Sequence, residues 1–514
     1  MKNRIPLVLL LLVSFSSCTP GSGIHERSGQ TLVAGLEGNP ITLDPRLARD
    51  AYSTRIIPLL FHSLVMQDER SEIVPDLAQS WEVEDDRIYI FHLKKGIRFA
   101  HGRDLDAGDV KYTITSLSDP ELKSPYQDLA RRIKEITILD PCTIRFELEK
   151  PHSPFLSQLT IGILPRDLAK ERGQEFGRRP IGSGPYMVLR REPGGEIELD
   201  LNPYYSGKAP EIHRIIFRVI PDDVTRIMAL ERGEVQILQN SVPPDDLRVL
   251  ARNPRIAITT RPGINYTYLG FNLEDPILKN RRVREAIACA IPRDDLINCL
   301  LQGQAQPATG LLAPSHWAYE PDVETYSYDP ARAESLLDEA GFPDPDGPGP
   351  KPRFHLLYKT SQNKLRRWIA EAIAYALSEV GIEVEVRSHE FGTLFADIQA
   401  GRFQIYTLTW VGVTEPDMYY TIFHSKSRPP YGANRGGYAN PDVDRLTEQG
   451  RTLIKQDRRR EVYAQVQRII AHDLPYVSLW YSRDVVACDS RIKNFRIFPG
   501  GDWRSLAVAE FCEE

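Results

Sequence analysis

The strongest constraint on the fold is a strand–helix–strand pattern between residues 353 and 386. Residues 353–359 are strand-like, and residues 362–380 repeat apolar side chains at the i, i+3, i+4 spacing of one helical stripe. Apolar and polar residues then alternate over 382–386, which indicates a second strand. This order favours a parallel crossover. The chain is therefore predicted to contain an α/β sheet.

Similar units recur elsewhere in the chain. The strand-like segment Ile212–Ile220 precedes Asp222, an N-capping residue, and Gly233 ends the helix that follows. Another α/β unit runs from Leu394 to Trp410. Asp329 is followed by proline and caps a further helix. These units predict two α/β lobes.

Residues 76–149 follow a different pattern. Short alternating runs, such as 88–91 and 143–148, favour an antiparallel sheet. About 480 residues follow the first 30, which is more than one hydrophobic core normally serves. The sequence therefore predicts two α/β lobes and an antiparallel α+β insert.

The N-terminus has the pattern of an export signal. Its first four residues carry two cations, and the apolar run Ile5–Phe15 is shorter than the ~20 residues that a membrane span needs. The following Ser-Ser-Cys resembles a bacterial lipobox, which predicts a signal peptide over 1–17, lipidation of Cys18 and a flexible tether over 18–30. The alternative is a plain secretory peptide with Cys18 as an incidental thiol.

Charge and cysteine usage exclude several classes of protein. Removal of residues 1–17 changes the net charge from −6 to about −8, and no basic patch is evident, so nucleic acid is not an expected partner. The other cysteines lack CxxC pairs and metal-ligand spacing with histidine, so neither a metal site nor a cofactor is expected. Free thiols are favoured over disulfides, and Cys488 with Cys512 is the first pair to test.

Seven sequence blocks occur in the order typical of one protein family. The chain resembles the solute-binding proteins of bacterial peptide and nickel importers, the extracellular solute-binding protein family 5, from about residue 30 to its end. The blocks are TLVAGLEGNPITLDP, VPDLAQSWEVEDDRIYIFHLKKGIRFAHGRDLDAGDVKYT, PIGSGPYMV, NPYYSGKAPEIHRIIFRVIPD, YLGFNLEDPILKNRRVREAIACAI, YDPARAESLLDEAGF and YANPDVDRL.

This resemblance implies a periplasmic-binding-protein-like fold of class II. Two α/β lobes are joined at a hinge and close on a ligand, and an extra α+β domain is present. The expected ranges are lobe I over 31–57, 181–263 and 485–514, the extra domain over 58–180, and lobe II over 264–484.

The resemblance also implies where the ligand binds. Open α/β sheets bind ligands beyond the carboxyl ends of their strands, so the loop after the strand 404–410 should form the floor of the site. Peptide binders of the family typically place an aspartate about three residues after the tryptophan of this loop, to pair with the ligand's α-amino group. This sequence has none there, so an enclosed ammonium would need Glu415 or Asp417. The expected ligand-binding residues are Trp410, Val411, Gly412, Val413, Thr414, Glu415 and Asp417 in this loop, Asn39, Pro40 and Ile41 on the opposite wall, and Asn265 and Tyr266 at the lobe crossover, where a hinge role is the alternative.

Function is predicted from the resemblance and from the absence of catalytic and nucleotide-binding motifs in the sequence. The sequence contains no GxSxG, HExxH, EF-hand, GxxxxGK[ST] or GxGxxG motif, which argues against an enzyme. The leading hypothesis is an exported, monomeric, peptide-binding lipoprotein that delivers its ligand to an ABC permease in the membrane. The alternatives are the same fold with a non-peptide ligand, such as a nickel chelate, haem or a sugar, and an exported hydrolase.

Overall fold

The structure is a computed structural model and describes residues 31–192, 194–347 and 349–512. The predicted signal peptide, Cys18 and the tether lie outside the described residues. None of the helices within the described ranges is both long and apolar enough to cross a membrane.

Strands and helices alternate along most of the chain. The strands are β1 (Thr31–Leu36), β2 (Val65–Gln67), β3 (Ile73–Pro75), β4 (Ala78–Glu84), β5 (Ile88–Leu93), β6 (Ile133–Asp140), β7 (Thr143–Leu148), β8 (Tyr186–Arg191), β9 (Ile197–Leu201), β10 (Arg214–Val219), β11 (Ile237–Gln239), β12 (Ile256–Phe271), β13 (Ala305–Pro307), β14 (Phe354–Ser361), β15 (Ile382–His389), β16 (Ile405–Trp410), β17 (Tyr476–Asp489), β18 (Ile492–Lys493) and β19 (Glu510–Phe511).

The helices lie on the faces of the sheets. They are α1 (Ala51–Leu60), α2 (Ala107–Ser116), α3 (Gln127–Arg131), α4 (Phe155–Gln158), α5 (Arg166–Arg172), α6 (Asp223–Arg232), α7 (Pro244–Leu250), α8 (Arg281–Ala290), α9 (Arg293–Leu300), α10 (Pro330–Glu339), α11 (Lys364–Ser378), α12 (Phe391–Gln399), α13 (Met418–Phe423), α14 (Pro441–Gly450) and α15 (Gln456–Asp473), with 3₁₀ turns at Gly173–Arg178, Pro499–Gly501 and Arg504–Ala507.

The predicted strand–helix–strand unit is confirmed. β14 and β15 pair in parallel, and α11 connects them. The predicted caps are also present, since the side chain of Asp222 accepts a hydrogen bond from the Thr225 N–H and that of Asp329 from the Arg332 N–H. Local patterns fix these elements because a capped, amphipathic helix is stabilised mainly by its own sequence and one packed face.

One large sheet runs through most of the molecule. Among the described residues it contains eleven strands, in the order β15-β14-β16-β12-β17-β11-β1-β10-β9-β8, with β13 also paired to β17. Separate buried clusters cover its two ends: one includes Phe217 and Trp503, and others include Tyr358 and Tyr406. The prediction of a two-lobed α/β fold is confirmed. We keep the names lobe I and lobe II for the ranges given above, whose exact boundaries stay a prediction.

The long antiparallel strands β12 and β17 connect the two lobes. Their register is interrupted once at mid-length, because Arg261 pairs with Asp484 whereas Asn265 pairs with Ser482. Three residues, 262–264, therefore bulge opposite one residue of β17. This bulge lies where the chain passes between the lobes.

The predicted antiparallel insert is a four-stranded sheet in the order β4-β5-β7-β6. It has its own core, in which Tyr89, Phe91, Phe146 and Phe155 pack closely. This α+β unit contacts lobe II as well as lobe I, since the Ser153 N–H donates to the Arg451 carbonyl at 2.7 Å.

All five described cysteines are free thiols, so Cys488 and Cys512 do not form a disulfide. Cys488 and Cys289 are buried, as predicted for structural thiols, but Cys299 and Cys512 are exposed.

Candidate ligand-binding cleft

The parallel strands of both lobes end at the bulge between them. In lobe II, β16 runs antiparallel to β12 and ends at Trp410, opposite Tyr266. In lobe I, β11 ends at Gln239, opposite Val486 of β17. Both strands therefore run toward residues 262–264, from opposite sides. The carboxyl ends of the two sets of strands face each other, which is where open α/β sheets bind ligands.

The loop 410–417 lies between the lobes. Gly412 has a φ of +67°, and a Cβ on it would lie only 3.7 Å from the Gly500 Cα of lobe I. The side-chain amide of Gln67, in the extra domain, donates a 3.0 Å hydrogen bond to Thr414 Oγ1. Val411 is half exposed beside these contacts. A ligand in this cleft would meet the main chain of the loop with no side chain at Gly412.

The two predicted crossover residues have different surroundings. The side-chain oxygen of Asn265 accepts a 3.0 Å hydrogen bond from the Gly412 N–H, so Asn265 fixes the loop. The side chain of Tyr266 is buried in lobe II, where its hydroxyl lies 2.8 Å from Ser478 Oγ and its ring stacks on Tyr268. Tyr266 also lines a cavity of about 230 Å³ inside lobe II.

Both acidic residues of the loop are already paired with arginines. Glu415 forms an ion pair with Arg459 and accepts a 3.2 Å hydrogen bond from Ser157. Asp417 Oδ1 lies 2.9 Å from Arg451 Nε, and burial raises the pKa of Asp417 to about 7. Both carboxyl groups therefore lie beside an internal positive charge, although Asp417 Oδ1 makes no hydrogen bond to a described residue. Neither is available as an uncommitted partner for a ligand ammonium.

Val413 and the segment 39–41 complete the predicted set. Val413 is 2% exposed and packs in the tyrosine-rich core of lobe II. The guanidinium of Arg191 donates to the carbonyls of Pro40 and Ile41 at 2.7 and 3.2 Å, while the side chains of Asn39 and Ile41 are exposed. Within the described ranges no hydrogen bond joins this segment to the loop 410–417. The structure thus places this segment on lobe I, held by Arg191 at the end of β8.

Four polar side chains share one feature of position, and of these only Trp410 was predicted from the sequence. Each is the last residue of a strand that ends in the cleft region, and each has a buried polar side-chain atom without a hydrogen-bond partner among the described residues: Gln239 of β11, Ser361 of β14, His389 of β15 and Trp410 of β16. Buried polar groups are normally paired. These side chains are therefore candidates for ligand contacts.

The described residues contain no group of three or more His, Cys, Asp or Glu side chains placed to hold a metal ion.

Sequence comparison decides the family. The model of the bacterial extracellular solute-binding proteins, family 5 (middle), matches residues 72–430. The chain belongs to this family.

Three relatives agree with this assignment. The present protein is 26% identical to the dipeptide-binding protein of Escherichia coli, over 96% of each chain. It is 26% identical to the oligopeptide-binding protein AppA of Bacillus subtilis, solved in complex with a nonapeptide, with a TM-score of 0.82 and coverage of 94% of this chain and 99% of that one. It also shares the fold of NikZ from Campylobacter jejuni, solved with Ni(L-His), at 23% identity, a TM-score of 0.83 and coverage of 94% and 99%.

Family membership settles three of the predictions. The relatives are substrate-binding proteins of ABC transporters and not enzymes, so the predicted lack of catalysis is confirmed and the exported hydrolase is wrong. The family is extracellular, so the predicted export of the protein is confirmed.

In this family 5 protein, Asp484 is the acidic residue closest to the lobe crossover on β17. It is 1% exposed, accepts a 3.2 Å hydrogen bond from the Asn240 amide, and lies 3.7 Å from Arg261 Nε. Its other oxygen has no hydrogen-bond partner among the described residues. Burial raises the pKa of Asp484 to about 6.

The Asp484→Asn substitution should change how stability depends on pH. The folded-state pKa exceeds the unfolded value of about 3.9, so the folded wild type loses stability as pH rises from about 4 to above 6. The asparagine variant lacks this loss. The free energy of unfolding of the variant, relative to wild type, should therefore rise by about 2 kcal/mol between pH 4 and pH 7.5. Urea denaturation at both pH values measures this, and a difference that stays constant with pH contradicts it.

Proposed function

We propose that this protein binds peptides in the cleft between lobes I and II, mainly through their main chain, and delivers them to an ABC permease. It does so as a monomeric lipoprotein anchored at Cys18. The ligand is enclosed between the carboxyl ends of the facing strands, and closure of the lobes about residues 262–264 holds it there.

One observation carries this proposal. The loop 410–417 presents main chain between the lobes at Val411, which is half exposed, and at Gly412, which has no side chain. Recognition through main chain tolerates different side chains, which suits a peptide carrier. The E. coli relative that binds dipeptides and the B. subtilis relative that holds a nonapeptide match the chain over nearly its whole length.

The anchor and the permease rest on the sequence pattern and on family membership. The Ser-Ser-Cys motif at Cys18 follows a short apolar run, as in bacterial lipoproteins. Substrate-binding proteins of ABC transporters pass their ligand to a membrane partner. A tether over residues 18–30 would let the protein reach such a partner while anchored.

Ligand identity is tested by native mass spectrometry of protein purified from its exported fraction without refolding. We expect a set of bound masses that fragment into peptides of varied sequence. A single bound mass without peptide fragments contradicts the peptide proposal. Peptide binding is then checked directly, by titrating the emptied protein with synthetic peptides of two to nine residues in a calorimeter.

A non-peptide ligand is the second candidate. The pairing of Glu415 with Arg459 and of Asp417 with Arg451 favours it, because a free peptide amino group would find no uncommitted acid in the loop. NikZ shows that the same fold can hold a small metal chelate. The single bound mass described above is the result expected for this candidate.

A further inference from the structure

Lobe II contains a cavity of about 230 Å³ to which the proposed function assigns no role. The cavity lies beside residues 476–478 of β17, just past the end of β13. Its apolar wall includes Phe423 of α13, Ile470 of α15 and Val477 of β17. An apolar cavity of about 150 Å³ holds one benzene molecule. This cavity therefore has room for an aromatic ring with a short side chain.

Arg293 brings a positive charge to this cavity. It is the first residue of α9, and its Nη1 donates a 3.2 Å hydrogen bond to the Ser478 carbonyl. Within the described ranges its other nitrogens make no hydrogen bond, and no carboxylate lies within 4 Å of its guanidinium. Burial lowers the pKa of Arg293. A partly buried cation without a counter-charge is costly unless another group supplies one.

The acidic residues around the cavity do not supply this counter-charge. Glu320 and Glu324 pair with other arginines, at 2.9 and 3.0 Å. Asp294 follows Arg293 in α9, but its side chain is exposed and forms no ion pair with a described residue. The guanidinium of Arg293 thus keeps N–H groups that an anion in the cavity could accept from.

The polar anchor of this cavity is distant from the lobe crossover. Ser478 lies four residues before Ser482 in β17, and Ser482 pairs with Asn265 at the bulge between the lobes. At about 3.3 Å per strand residue, the contact between Arg293 and Ser478 is about 13 Å from the crossover. A small molecule beside Arg293 would therefore bind apart from a ligand held at the crossover.

We propose that this cavity binds a small carboxylic acid with an aromatic or branched apolar body, whose carboxylate pairs with Arg293. The apolar wall contacts the body, and the guanidinium donates its unoccupied N–H groups to the carboxylate oxygens. Arginine suits this role because its planar set of donors matches the geometry of a carboxylate. The proposal does not depend on what the cleft binds.

Calorimetry with 3-phenylpropionate and its neutral amide tests the charge contact. Wild-type protein should bind the acid about tenfold more tightly than the amide, because a hydrogen bond to a charged group is stronger than a neutral one. Arg293→Met, which keeps the apolar stem of the side chain, should reduce this ratio to within about twofold. Arg282→Met is the matched control. Arg282 pairs with Glu339 at 3.7 Å on the surface, so its loss should leave the ratio unchanged.

Filling the cavity tests the location of the site. Ala471 of α15 lines the cavity, and leucine at this position is also a strong helix former. Ala471→Leu should weaken the binding of 3-phenylpropionate by about tenfold or more, because the added methyl groups occupy the cavity. Thermal unfolding checks that each variant is folded.

Four results would overturn the proposal. Wild-type protein binds neither compound, or it binds the acid and the amide equally. Arg293→Met keeps the wild-type ratio, which would mean that Arg293 serves only to hold α9 against β17. Ala471→Leu leaves the affinity for the acid unchanged, which would place the bound acid elsewhere on the protein.

Discussion

Replacing Gly182 with alanine should lower the free energy of unfolding by about 3 kcal/mol or more. A Cβ at this position would lie 1.9 Å from the carbonyl oxygen of Leu60, which is backbone and cannot rotate away. Gly182 joins the extra domain to β8, and its carbonyl accepts a 2.9 Å hydrogen bond from the Ala100 N–H. The main chain must shift to admit a methyl group, and these contacts shift with it. Urea denaturation followed by circular dichroism measures the change.

Gly310→Ala is the control for this substitution. The nearest atom to a Cβ there is the Tyr419 hydroxyl oxygen at 3.6 Å, which is an ordinary contact. Its effect should be within about 0.5 kcal/mol of wild type. Similar losses for both variants would show that the clash with Leu60 does not determine the stability of the junction.

Replacing Arg459 with methionine should cost about 3 kcal/mol of folding stability. Arg459 is 7% exposed, pairs with Glu415, and lies over the Trp317 ring at 5.2 Å. Methionine replaces the apolar stem of the arginine side chain but leaves the Glu415 carboxylate without its partner. Removing one member of a buried ion pair is costly because the other charge stays desolvated. The measurement is again urea denaturation.

The double variant with Glu415→Gln separates the ion pair from packing. It should be more stable than Arg459→Met alone, because no unpaired charge remains. Glu415→Gln alone should change the affinity for peptides with a free amino group by less than about twofold. A loss of tenfold or more, absent for acetylated peptides, would mean that Glu415 faces the ligand and not only Arg459.

The elements that could be predicted from the sequence are those with local signals. Asp222, Asp329 and Gly233 cap their helices as predicted, since capping depends on residues within one turn. The parallel pair β14 and β15 followed from one amphipathic helix between two strand patterns. The two-lobed arrangement was confirmed, although the resemblance to a family supplied its closure and hinge.

The surroundings of single site residues could not be predicted. Arg459 and Arg451, which lie beside Glu415 and Asp417, belong to a later part of the chain, so no local sequence pattern predicts these contacts. Tyr266 was predicted at the crossover, but its side chain faces into lobe II. A change of one residue in the register of β12 would place this side chain on the opposite face of the sheet. Gln239, Ser361 and His389 were missed because their role depends on where each strand ends, which sequence patterns leave uncertain by a residue or two.

The proposed closure about residues 262–264 implies that affinity can be tuned without a change at the ligand contacts. β12 and β17 carry the sheet from one lobe to the other, and in the mechanism that we propose the lobes open and close about this interruption. The measured dissociation constant equals the intrinsic dissociation constant of the closed form divided by the fraction of molecules in that form. Substitutions at Pro262 or Arg483 that alter this fraction would change the dissociation constants of all ligands by one common factor. The order of affinity among the ligands would stay the same.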